Sequence, residues 1–247
     1  MSSLRTFDLL EKWQSHYIAN TEQEKSVLEV STAQKKFQHK VVGLAEHSGV
    51  HSLKSSPKIL NRDSAMTNYA NSFSGEYCDV QFEITVLISE KSGKLDISAV
   101  DIHSTDSIVL TSLSQTAERL KPEDLLLNFF QLFTSIVDQM TIRDNLFKCL
   151  IERIGENLQV DEEKNLVIIP SSKSPIFVLH WNIAINEDFD VYSNAVVNID
   201  SQGCELSKDE KEFLATVPSN FSKICSLLGT SQAAVSLVRV LCSQKLE

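Results

Sequence analysis

Read with a period of two, the stretch FVLHWNIAIN places Phe177, Leu179, Trp181, Ile183 and Ile185 on one face and Val178, His180, Asn182, Ala184 and Asn186 on the other. That alternation predicts an antiparallel strand buried on one side, with Trp181 as a core anchor and His180 and Asn182 turned away from the core. A strand of the same kind runs from Asp79 to Ser89, with Val80, Phe82, Ile84, Val86 and Ile88 on its apolar face. Ser92-Gly93 turns the chain into a partner strand, Leu95–His103. Shorter strands are expected at Val50–Leu53, Lys58–Leu60, Leu158–Val160 and Asn165–Ile169, and a longer one at Val191–Asp200. The polar run Asn61–Ser74 reads as a connection.

Between these strands the period changes to that of a helix. Phe7, Leu10 and Trp13 mark a short amphipathic helix over Leu4–Ile18. From Glu22 to His47 the spacing of Val30, Ala33, Phe37, Val41 and Leu44 gives a stripe that suits a coiled coil or a helix laid on its own sheet. Pro122 opens a long helix through Leu126, Phe129, Phe130, Phe133, Ile136, Val137 and Met140, since proline is tolerated in the first helical turn. The pattern resumes after Thr141 and stops at Gly155. Ser207 and Glu210 form a capping box, Pro218 is expected to begin a separate helix that Gly229 closes, and Ser231 caps the last one.

The order helix, antiparallel strands, helices occurs twice. The strongest strands lie 97 residues apart, Phe82 against Leu179, and each leads into a hairpin partner, SAVDIHS and then NAVVNIDS. The pattern predicts a duplicated α+β unit in which each sheet, of about three or four strands, packs helices on one face only. The expected divisions are an N-terminal helical segment over 1–47, a first module over 48–140 and a second over 141–247.

A net charge of −10 argues against direct binding of nucleic acid, which draws on clustered Lys and Arg. Lys35, Lys36, His39 and Lys40 read as the wet face of a helix. Five cysteines without a CxxC pair give neither a disulfide framework nor a zinc spacing, which suits a reducing compartment. No run approaches the roughly 18 apolar residues of a membrane span. Phosphate-loop, dinucleotide, HExxH and GxSxG motifs are absent, and the carboxylates of Asp161-Glu162-Glu163 and Asp188-Phe189-Asp190 fall at hairpin turns. No catalytic, cofactor-binding or metal-binding residue is therefore expected.

The strings GEYCDVQFEITVLI, LLLNFFQLF, PIFVLHWNIAINED and FSKICSLLGTSQAAVSLVRVLC resemble those of tandem RWD-domain subunits of the inner kinetochore, over roughly Gly75 to Cys242. The resemblance implies a nuclear, centromeric, non-enzymatic scaffold that pairs with a second tandem-RWD subunit, centromere protein O, and joins centromere proteins Q, U and R. The RWD fold is related to ubiquitin-conjugating enzymes, and Cys204 follows a strand near the place of their nucleophile. Those enzymes carry a His-Pro-Asn triplet whose amide stabilises an oxyanion; here there is no His-Pro dipeptide, so Cys204 reads as a loop thiol. An adaptor of the same fold outside the kinetochore is the other reading. For partner contact, the helix stripe of Val30, Phe37, Val41 and Leu44 and the outward residues His180 and Asn182 are the expected surfaces.

Overall fold

The computed structural model describes residues 31–63, 66–171 and 174–242. Among them are five helices and two antiparallel sheets of four strands, an α+β architecture. The helices are α1 (Thr32–His47), α2 (Ser107–Ala117), α3 (Pro122–Ile154), α4 (Lys208–Leu228) and α5 (Thr230–Leu241). The first sheet contains β1 (Lys54–Arg62), β2 (Thr67–Tyr77), β3 (Val80–Lys91) and β4 (Lys94–Ser104). The second contains β5 (Leu158–Val160), β6 (Leu166–Ile168), β7 (Ile176–Ile185) and β8 (Val191–Asp200). Each sheet is a meander in which every strand neighbours the next in sequence. Phe82 and Leu179 lie on the third strand of their sheets, so the 97-residue spacing joins equivalent elements. The helix expected at Leu4–Ile18 lies outside the described residues.

Contacts group the chain into two compact units. One holds the described residues up to Gly75 together with Phe82–His103; the other holds Glu76–Gln81 and the described residues from Ser104 onward.

In the first unit, Phe82, Ile84, Val86 and Ile88 alternate with Gln81, Glu83, Thr85 and Leu87, and only the former set is fully buried. Two hairpins of the first sheet close through left-handed pairs, Cys78-Asp79 and Ser92-Gly93, the backbone that a two-residue connection needs. Strand β2 occupies most of the run expected to be a connection. Its inward positions are Tyr69, Asn71 and Phe73, and small polar residues fill the other face, so the apolar alternation is too sparse to register in the sequence. Hydroxyls and amides replace it: Ser72 bonds Thr85 at 3.0 Å, and Ser89 donates to Asn68 at 2.8 Å. Val50–Leu53, expected as a strand, is irregular, and Ser52 takes a positive φ there. Gly75 leaves room for the Phe82 ring, whose Cζ would sit 2.9 Å from an added Cβ.

The second unit is organised by α3, which is 33 residues and so roughly 50 Å long. It runs without interruption through Thr141, where the sequence suggested a restart. Its most apolar window is long enough for a membrane span, with a mean hydropathy of 1.2, yet 56% of that window is buried inside the protein. Phe129 stacks on Phe133 and meets Phe130 edge to face. Further along, Phe147 meets Trp181 of β7 edge to face at 5.9 Å, and Trp181 is 4% exposed. Arg143 continues the buried stripe at 2% exposure, with its methylenes in the core and its Nε donating to Asp144 at 2.7 Å. Helix α2 was not expected: Asp106 caps it by accepting from the amides of Ile108 and Val109, and Val109, Leu113 and Thr116 form its inner stripe.

The Ser207–Glu210 capping box is formed. Pro218, however, lies inside α4 and does not begin a second helix. Proline cannot donate to the carbonyl of Leu214, which normally costs about 3 kcal/mol in a helix interior. Thr216 and Ser219 mark the disturbed turn by bonding back to the carbonyls of Phe213 and Thr216.

Two substitutions test this account by calorimetry. Trp181→Ala should cost ~3–5 kcal/mol, because the ring fills the space beside Phe147. Pro218→Ala should stabilise the fold by up to about 3 kcal/mol of helix propensity and so raise the thermal midpoint.

Candidate interaction surfaces

The first unit shows what became of the predicted helix stripe. Val30 lies outside the described residues. Ser31 caps α1 by accepting from the Gln34 amide and donates to Glu90 at 2.7 Å. The Tyr69 hydroxyl donates to the same Glu90 oxygen at 2.9 Å, and burial, followed by this bond to a carboxylate, pushes the phenol above its ordinary value. The Gln34 side chain, 0% exposed, donates to Asn71 of β2. Phe37 is half-buried edge to face on Phe73, Leu44 is half-buried, and Val41 is 1% exposed. Val41 is thus a core residue and offers no side chain to a partner: the stripe turns onto the helix's own sheet, because that sheet presents Tyr69, Asn71 and Phe73 to be covered.

The second sheet places His180 and Asn182 where the alternation puts them. Leu179, Trp181 and Ile183 are buried, His180 is half-buried and Asn182 is exposed. Across to β8 the register pairs Val178 with Asn198, His180 with Val196, Asn182 with Asn194 and Ala184 with Tyr192. These eight residues share the face turned away from Trp181. On it the His180 Nε2 lies 3.0 Å from the Asn198 amide nitrogen, and its Nδ1 lies 3.0 Å from the Asn165 side-chain oxygen. The only tautomer that satisfies both contacts carries its proton on Nδ1, donates to Asn165 and accepts from Asn198. Asn165 in turn donates to Asp161 at 3.0 Å and also gives it a backbone bond at 2.8 Å. A row of side chains therefore runs from Asp161 in the β5–β6 turn, past the start of β6 and across β7, to Asn198 on β8. No sequence pattern marks these partners, since Asn165 and Asn198 lie 15 and 18 residues from His180 and meet it only through the sheet.

At the other end of the same hairpin, Arg119 binds the β7–β8 turn. Its guanidinium donates to the carbonyls of Asn186 and Glu187, at 3.1 Å each, and sits 5.1 Å over the Phe189 ring. Asn186 closes the turn by accepting from the Asp190 amide. This clamp explains how Phe189 is held at a positive φ of 64°.

Among the described residues of this unit are open clefts, two of which bear on the site. One, of about 300 Å³, lies between Gln131, Ser135, Asp138 and Gln139 of α3 and the Phe189–Val191 turn. The other, of about 330 Å³, lies beside Phe147, Ile151 and Val160. Neither is lined by a cysteine or histidine. Cys204 sits in the turn after β8, half-buried, with its amide bonded to the Ser201 carbonyl. Helix α4 buries only Phe221 fully, and Phe213, Leu227 and Leu228 on it, with Val240 on α5, are well exposed.

No family model matches the chain. It is 25% identical over 172 residues to human centromere protein P, an alignment that takes in 67% of this chain and 59% of that protein's length.

One titration follows from the polar row. Desolvation works to raise the Asp161 carboxyl, but the side-chain and backbone bonds from Asn165 outweigh it and hold it below the usual carboxylate range. Its share of stability is present above the unfolded carboxylate pKa and is lost as pH falls through the lower folded value. Carboxyl-detected NMR of Asn165→Ala should therefore show Asp161 titrating at higher pH than in the parent protein.

Proposed function

We propose that this chain is a non-catalytic structural subunit of the inner kinetochore. In this reading it is built from two RWD-like modules, 48–140 and 141–247, preceded by the helical segment 1–47. It pairs with a second tandem-RWD subunit, centromere protein O, in the nucleus at the centromere, and joins centromere proteins Q, U and R to support chromosome segregation. The observation that carries the reading is the repeated element order: a helix, a four-stranded meander and helices, then the same again, in a chain similar to centromere protein P.

The surfaces fit a scaffold. The described clefts are open and polar or shallow, while neutral and apolar side chains are displayed on sheet and helix faces. An acidic chain reaches chromatin through other proteins, not through phosphate contacts of its own.

The tagged protein is expected to form paired foci on mitotic chromosomes, and the co-expressed tandem-RWD subunit is expected to co-elute with it in size-exclusion chromatography. Diffuse staining, or separate elution of the two chains, overturns the reading. A Cys204-dependent adduct with activated ubiquitin overturns the non-catalytic part of it.

A further inference from the structure

The outer face of β7 and β8 is exposed yet bears no Asp, Glu, Lys or Arg at eight of its ten paired positions; the exception is the pair at the strand end, where Asp200 lies opposite Ile176. Tyr192 is 47% and Val196 42% exposed on it, between the amides of Asn182, Asn194 and Asn198. That is unexpected for a chain in which 23% of residues are charged, because charges gather where water is. The ends of the strands restore the balance. The β5–β6 turn carries Asp161, Glu162 and Glu163, the β7–β8 turn carries Glu187, Asp188 and Asp190, and β8 ends in Asp200; Lys164 is the one cation among these described turn residues. A centre stripped of charge inside a charged rim is the composition of a protein-binding surface.

The rim also says what sits there. Two copies of this chain would bring acidic rims together on molecules that each carry a charge of −10, which opposes self-association. We infer that this face is the docking site for a different protein subunit, one that presents aliphatic and amide side chains framed by Lys or Arg. The inference rests on the heterodimer reading above and assigns it a surface. The helical hairpin α4–α5 displays more apolar area but has no charge frame from which an occupant can be read.

The side chains on this face are already ordered before any partner arrives. Asn198 and Asn165 hold His180 from both sides, so a partner meets fixed donors and acceptors and loses little in ordering them.

The test uses the purified full-length chain and the tandem-RWD subunit, centromere protein O, of the same organism, with affinity measured by calorimetry or surface plasmon resonance. Val196→Lys puts an unpaired charge into the centre of the face without touching the core, and Tyr192→Lys does so one pair from the other end; each should weaken binding about 30-fold or more. Asp188→Asn with Asp190→Asn should slow association and flatten its dependence on salt, leaving dissociation nearly unchanged. Unaltered circular dichroism and thermal midpoint show that a variant is folded. Parental affinity in both folded lysine variants overturns the inference while leaving the heterodimer standing. So does a loss produced by Leu227→Lys and not by the other two, which moves the contact to the helical hairpin. Failure of the parent chain to bind that subunit removes the heterodimer reading and this surface with it.

Discussion

One-sided burial of an antiparallel sheet is the constraint from which the rest follows. A strand whose side chains alternate between apolar and polar must have one face covered and can leave the other wet, and in both sheets the covered face is the one with the long aliphatic and aromatic side chains. In the second unit the cover is α3, through Phe147 against Trp181. In the first it is α1, through Phe37 against Phe73 and Gln34 against Asn71. The faces turned away from those covers are what remain for other molecules, and two such sheets offer two of them.

The cover is not uniformly greasy. Gln34 and Asn71 are a buried amide pair, and in each one amide atom, the Gln34 oxygen and the Asn71 nitrogen, lacks a hydrogen-bond partner among the described residues. The Trp181 indole N–H is in the same condition. Such groups typically cost about 1–3 kcal/mol apiece when buried without a partner. The amide pair in return ties α1 to β2 at one point along the helix.

The strands with dense alternation were legible: Val80 to Ile88 and Phe177 to Ile185 announce their buried faces, and the Ser207–Glu210 cap marks its helix. The failures have separate physical causes. Strand β2 is held by hydroxyls, amides and only two buried aromatics, Tyr69 and Phe73, so hydrophobic periodicity passes over it. Helix α2 buries Ser112 and Thr116 beside Val109 and Leu113, a stripe too polar to stand out next to α3. Pro218 misled because a proline that usually starts a helix can also be carried inside one when the flanking turns stay helical. The helix stripe through Val41 was read correctly as a stripe but its destination was tertiary, and nothing local distinguishes a face turned to one's own sheet from a face turned to a stranger. For His180 the direction was legible, whereas its partners Asn165 and Asn198 depend on a register that only the folded sheet fixes.

That register gives the amide row a further meaning. Sliding β8 by one residue against β7 would bring Ala195 and Val197 out, take Val196 in, and carry Asn198 away from His180. The imidazole thus works as an index mark cut across the sheet. A slip of two residues would keep Ala195 and Val197 facing in but move Asn198 relative to the imidazole, and the mark sets the native alignment apart from that one.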